Sequence, residues 1–181
     1  MATLAEHRGP WRFDELADLP DDDRRYEVVD GRLVVSPAPG QRLQAIGAEL
    51  LFALRAQCPP AWRVCYEFAL PMGTDGRVPD LAVVHSAADL GGPSPYPLGP
   101  ESFGLVVEVV SPSSRKTDRF AKPGEYAEAG IALFWRVETE PSVVVHAFEL
   151  RAGAYVEVAR VSSEGDVPVP WGNLRLAVPQ L

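Results

Sequence analysis

The chain has 181 residues, a formal net charge of -8, and 46% hydrophobic against 23% charged residues, a globular composition at the size of one domain. Net acidity excludes a protein that binds nucleic acid by coating itself in positive charge, because phosphate contacts are made by Lys and Arg. The charge is uneven, however: six of the eight excess negative charges fall between Asp14 and Asp30, and the remainder is close to neutral.

No apolar run approaches the roughly 18 residues of a membrane-spanning helix, and the first residues, MATLAEHRGPW, lack the basic-then-apolar order of a secretory signal. The expected compartment is the cytoplasm, with no membrane partner. Cys58 and Cys65 are too few for a disulfide framework or a Cys-rich zinc site. His7, His85 and His146 stand far apart without ligand-like spacing, which argues against a zinc enzyme or a triad hydrolase.

In chain order, residues 1–20 form a lead-in with a short helix at Phe13 to Leu19 that Pro20 ends, and residues 21–181 form one domain. The acidic triplet Asp21 to Asp23 is a solvated turn. Tyr26 to Val29 and Arg32 to Val35 are strands joined by Asp30-Gly31, the two-residue signal of a type I′ hairpin, and Pro37 and Pro39 close the unit. From Gln41 to Gln57, Leu43, Ile46, Leu50, Leu51 and Leu54 follow three-and-four spacing, which predicts an amphipathic helix stopped by Pro59-Pro60. Strands follow at Trp62 to Leu70, Pro79 to His85 and Gly104 to Val110, with turn residues Gly73 to Gly76 between the first two and a long loop over Ser86 to Ser102. A polar, basic segment runs from Ser111 to Arg119, then a short helix around Glu125 to Ala129 ends at Gly130. Strands at Ala132 to Val137, Ser142 to Leu150 and Tyr155 to Val161 complete a mixed sheet, so the fold class is α/β or α+β.

Three features carry chemistry. Leu105-Val106-Val107-Glu108-Val109-Val110 reads as a strand covered on both faces, where an unpaired carboxylate is costly, so Glu108 needs a partner. Asp80 opens the preceding strand 28 residues earlier, and adjacent strands would bring the two acids together. Paired carboxylates repel unless one is protonated or a divalent cation lies between them, and hard oxygens suit Mg²⁺ or Mn²⁺. Directly after the Glu108 strand come Arg115, Lys116, Arg119 and Lys122, interrupted by Asp118. A cationic segment beside two acids is what phosphodiester hydrolysis requires. The alternative for each acid is a structural ion pair, and for each cation a solvated loop.

These residues, in this order, resemble the Uma2 family of endonucleases within the PD-(D/E)XK restriction-nuclease-like superfamily. The matching segments are Tyr26 to Gly31, Gly73-Thr74-Asp75, Val78 to Val84, Leu105 to Pro112, and then Asp118, Lys122, Tyr126, Ala129-Gly130 and Phe134-Trp135. The resemblance implies a restriction-endonuclease-like core, with a central mixed sheet flanked by helices, an N-terminal hairpin and C-terminal strands. It also implies a Mg²⁺- or Mn²⁺-dependent endonuclease acting on DNA, with Asp80 and Glu108 as metal-binding acids and Lys122 as the catalytic cation. The lysine that the superfamily places two positions after its second acid is Val110 here, and Lys122 is its implied substitute at a helix start. Glu27 is a further candidate ligand or water-orienting residue, and Arg115, Lys116 and Arg119 are candidates for substrate phosphate. Tyr126 and Trp135 read as core aromatics. The resemblance further admits a homodimer, since restriction-type nucleases often act as dimers, with the strands after Trp135 as the candidate interface. The rival expectation, motivated by Val110 and the overall acidity, is a non-catalytic member that keeps the fold to bind nucleic acid or protein.

Overall fold

The structure, a computed structural model, describes residues 7–20, 22, 24–88 and 96–180. Asp21 and Asp23 of the acidic triplet, and residues 89–95 of the long loop, lie outside the described residues. Among the described residues, twelve strands form three sheets, accompanied by two α-helices.

The largest sheet has six strands, built from β3 (Trp62–Tyr66), β6 (Leu81–His85), β7 (Phe103–Val109), β8 (Leu133–Glu138), β9 (Val144–Arg151) and β10 (Ala154–Val161). Its order is β10-β9-β8-β7-β6-β3, and it is mixed because β7 and β8 run parallel while every other pair is antiparallel. Every residue of β7 is buried, as its unbroken β-branched run predicts for a strand covered on both sides. Strand alternation sends Leu81, Val83, Leu105 and Val107 to one face, where they pack with Ile46, Leu50 and Leu54 of α1 (Gln41–Gln57). The opposite face carries Ala82, Val84, Val106 and Phe134 and is covered by Tyr126 of α2 (Lys122–Glu128).

A second sheet, in the order β2-β1-β5-β4, joins β1 (Arg24–Val29), β2 (Arg32–Pro37), β4 (Leu70–Met72) and β5 (Asp75–Arg77). Asp30 and Gly31 both take positive φ, 50° and 68°, as a type I′ turn requires. The single strand expected over Trp62 to Leu70 is two: Glu67 adopts a left-handed φ of 44°, which ends β3 and turns the chain into the smaller sheet. A 3₁₀ helix at Phe13–Asp18 packs Phe13 and Leu16 against Val28 of β1. It is tied down by the Phe13 N–H donating to the Thr74 carbonyl at 2.8 Å. A third sheet, the hairpin of β11 (Glu164–Val169) and β12 (Gly172–Ala177), closes the α1 side of the core with Val167, Leu174 and Leu176.

The segment after β7 differs most from expectation. It is already helical at 115–116, forms a π-helical turn over Thr117–Ala121, and continues into α2, so Lys122 lies inside a helical stretch rather than at its start. Pro123 lacks a backbone N–H and would break an α-helix here; the wider π turn immediately before it accommodates the missing donor. No helix among the described residues is long and apolar enough to cross a membrane.

Gly76 couples the 3₁₀ helix to the smaller sheet, since a Cβ there would lie 2.4 Å from the Phe13 ring. Gly76→Ala is expected to lower stability by about 1–3 kcal/mol through this overpacking, read from the midpoint of a urea unfolding curve; an unchanged midpoint would show that the lead-in is not packed on β5.

Candidate active site

The register of the large sheet brings the two acids together. Leu81 faces Val107 and Ala82 faces Val106 across antiparallel β6 and β7, so the next position outward sets Asp80 opposite Glu108. Alternation puts both on the α2 face, and the Val109 N–H donates to Asp80 Oδ2 at 2.7 Å. Both acids line a cleft of ≈ 690 Å³ between the β1–β2 hairpin and the helical segment that follows β7.

Glu108 is 1% exposed and is held from above by the helix. Lys122 Nζ lies 2.8 Å from Glu108 Oε2 and 3.0 Å from Asp118 Oδ1, while the Tyr126 hydroxyl donates to Glu108 Oε1 at 2.5 Å. Burial pushes the Glu108 carboxyl up to about 8; Lys122 opposes that rise, and Asp80 and Asp118 add to it. Burial likewise raises the Asp118 carboxyl against the pull of Lys122. Lys122 is itself buried, which disfavours its charge, yet Glu108 and Asp118 together hold its ammonium well above the ordinary lysine range. Tyr126, expected as a core aromatic, is fully buried and also serves as a polar partner of Glu108. Val110, two residues beyond Glu108, is buried, and the ammonium beside Glu108 comes from Lys122 of the helix.

The opposite wall comes from β1. Tyr26 and Val28 pack with the 3₁₀ helix, which leaves Arg25, Glu27 and Val29 on the cleft side. Glu27 is buried rather than displayed on the hairpin surface. It accepts from the Val78 N–H at 2.9 Å and pairs with Arg77 Nη1 at 3.2 Å. Arg77 also binds Glu125 of α2 through two hydrogen bonds of 2.7 and 2.8 Å, which link the smaller sheet to the helix. Arg25 Nη2 lies 2.8 Å from Asp80 Oδ1 and 2.7 Å from Glu67 Oε1. Arg25, Arg77 and Glu67 were not singled out in the sequence. The alternation of β1 carries a readable signal for Arg25, since charged residues at 25 and 27 share the face opposite Tyr26 and Val28.

The basic run divides. Arg119 forms a fork with both carboxylate oxygens of Glu138 at 2.8 and 2.7 Å, and Arg115 pairs with Glu140 at 2.8 Å. Lys116 has no ion-pair partner among the described residues. The four cations therefore do not form one surface: Lys122 is internal, two arginines brace the β8 side, and Lys116 faces solvent.

Two acids on neighbouring strands thus share one cleft with a lysine directed onto the second from an adjacent helix. Residues 13–172 match the Uma2 family, described as "Putative restriction endonuclease". The chain belongs to this family. Its fold is similar to that of a crystal structure titled "putative nuclease belonging to DUF820" from Anabaena variabilis, with a TM-score of 0.71 and 19% identity over 93% of this chain and 96% of that one. A search of curated proteins finds no match.

The residues fit a divalent ion of the kind this class uses. Asp80 and Glu108 offer hard oxygen donors, and the repulsion by which Asp80 adds to the rise that burial imposes on Glu108 is a load that a cation would relieve. Among the described residues no group of three or more His, Cys, Asp or Glu could hold a metal. A pair of carboxylates completed by water and substrate phosphate is the Mg²⁺ pattern, whereas a closed protein cage is not.

Lys122→Met would leave Glu108 and Asp118 buried without their ammonium, and is expected to cost about 3–5 kcal/mol in denaturant unfolding. Adding Glu108→Gln to that variant should recover part of the loss, so the two substitutions combine to less than their sum; simple additivity would show that the buried pair is not coupled.

Proposed function

We propose that this protein is an endonuclease that hydrolyses phosphodiester bonds in DNA, with Mg²⁺ or Mn²⁺ held by Asp80 and Glu108. The observation that carries this reading is the position of the Lys122 ammonium, 2.8 Å from Glu108 at the floor of a cleft that Asp80 also lines. When bound, the ion supplies Lewis-acid polarisation of the phosphoryl group and lowers the pKa of bound water.

The side chains have separate tasks in this reading. Lys122 keeps its proton because two carboxylates face it, and its charge offsets the negative charge that develops on the phosphoryl oxygens. Tyr126 and Asp118 fix the positions of Glu108 and Lys122 without touching substrate. Glu27 is a positioning residue: its bond to the Val78 N–H fixes the backbone two residues before Asp80. Lys116 is the cation of the basic run available to a phosphate backbone, while Arg115 and Arg119 brace the helix against Glu140 and Glu138.

The test is cleavage of plasmid and single-stranded DNA in Mg²⁺ or Mn²⁺ by the native chain, Asp80→Asn and Glu108→Gln. Both variants are expected to lose activity by at least about 100-fold, and a chelator should abolish the native activity. Equal background cleavage by all three proteins would overturn the enzymatic reading and leave the non-catalytic binding member.

A further inference from the structure

Asp80 already carries a cation. Arg25 reaches it from β1 and uses one nitrogen, Nη2, for both Asp80 Oδ1 at 2.8 Å and Glu67 Oε1 at 2.7 Å. Its Nε and Nη1 make no hydrogen bond among the described residues, so most of the guanidinium's donor capacity is unspent beside the cleft. The Arg25 side chain is 17% exposed, and burial works against its charge, yet Asp80 and Glu67 keep it ionised.

Glu67 holds this arrangement from both ends. It sits in the left-handed region at φ 44°, a conformation that a non-glycine residue keeps only where its surroundings enforce it. Its backbone N–H donates to the Asp80 carbonyl at 2.9 Å, while its carboxylate holds Arg25. One residue thus anchors the main chain of the acid and the head group of the cation bound to it. Asp80 Oδ2 is fixed separately by the Val109 N–H. Arg25 is therefore the side-chain partner of Oδ1, and it has a second carboxylate to retain it.

A guanidinium and a divalent ion repel each other, and both would draw on the same carboxylate. Resting on the metal site proposed above, we infer that Arg25 is a resident counter-cation that a divalent ion displaces from Asp80, and that its guanidinium, still tethered by Glu67, then binds a phosphate of the substrate. Without the ion, Arg25 offsets the charge of Asp80 from within the cleft. Loading the site converts Arg25 from a partner of the protein into a partner of the phosphodiester, for which its forked donors are suited.

A purely structural arginine would lose metal and DNA affinity together when removed. The proposed exchange predicts opposite signs. The experiment measures Mn²⁺ affinity by titration calorimetry, and affinity for a short DNA duplex in Ca²⁺ by fluorescence anisotropy, with folding checked by thermal melting. Arg25→Gln is expected to bind Mn²⁺ about tenfold more tightly and DNA about tenfold more weakly than the native chain. Arg25→Lys, which keeps a charge but not the fork, should shift both in the same directions by less and carries the test if the glutamine variant does not fold. Unchanged or weaker Mn²⁺ binding, or unchanged DNA binding, overturns the exchange. Native-like Mn²⁺ binding by Asp80→Asn would instead overturn the underlying metal site.

Discussion

Lys122 and Glu108 meet in an interior that would reject either charge alone, and the surrounding elements serve to make that meeting possible. Glu108 cannot move to water because it is set in a strand buried throughout and flanked by β6 and β8. Its carboxylate must be matched by groups brought to it, and α2 brings two of them, an ammonium and a phenol. Hydrophobic residues of similar volume would satisfy such a core equally well. A charged pair kept at the floor of a cleft is therefore weak evidence for stability.

The cleft has two walls of different origin. The floor belongs to the large sheet and is fixed by strand pairing, while the outer wall is a hairpin whose sheet is anchored by the 3₁₀ helix through Phe13 and Leu16. Polar links tie the outer wall to its neighbours: Glu27 to the Val78 amide, Arg77 to Glu125 of α2, and Arg25 to Asp80. Each is charged or charge-assisted, and each spans two elements. Such contacts fix relative position more sharply than apolar packing does, because they fail steeply with distance and angle.

Much of the fold was legible because its signals are local. Helix α1 begins and ends where the apolar spacing and Pro59-Pro60 set it, and Asp30-Gly31 makes the expected turn. Asp80 and Glu108 could be read as neighbours because one strand is continuous in β-branched residues and the other opens on Pro79-Asp80. The break between β3 and β4 was not legible, since it depends on a left-handed glutamate that no residue preference announces. Nor could sequence order show that Arg115 and Arg119 are taken up by Glu140 and Glu138, whose distances in the chain are 25 and 19 residues. Partner choice for long charged side chains is set by tertiary geometry, and a run of cations records only that charge is present.

The π turn over Thr117–Ala121 separates two sets of side chains on what is otherwise one continuous helical path. Such a turn amounts to one extra residue in an α-helix, and it shifts the angular phase of everything before it relative to everything after. Lys122 and Tyr126, with Asp118 of the turn itself, face the interior, whereas Arg115, Lys116 and Arg119 precede or belong to the turn and lie nearer the surface. The segment therefore works as two dials on one shaft. The outer one can be reset by substitution or by a change of length before residue 117, while Lys122 and Tyr126 stay aligned on Glu108.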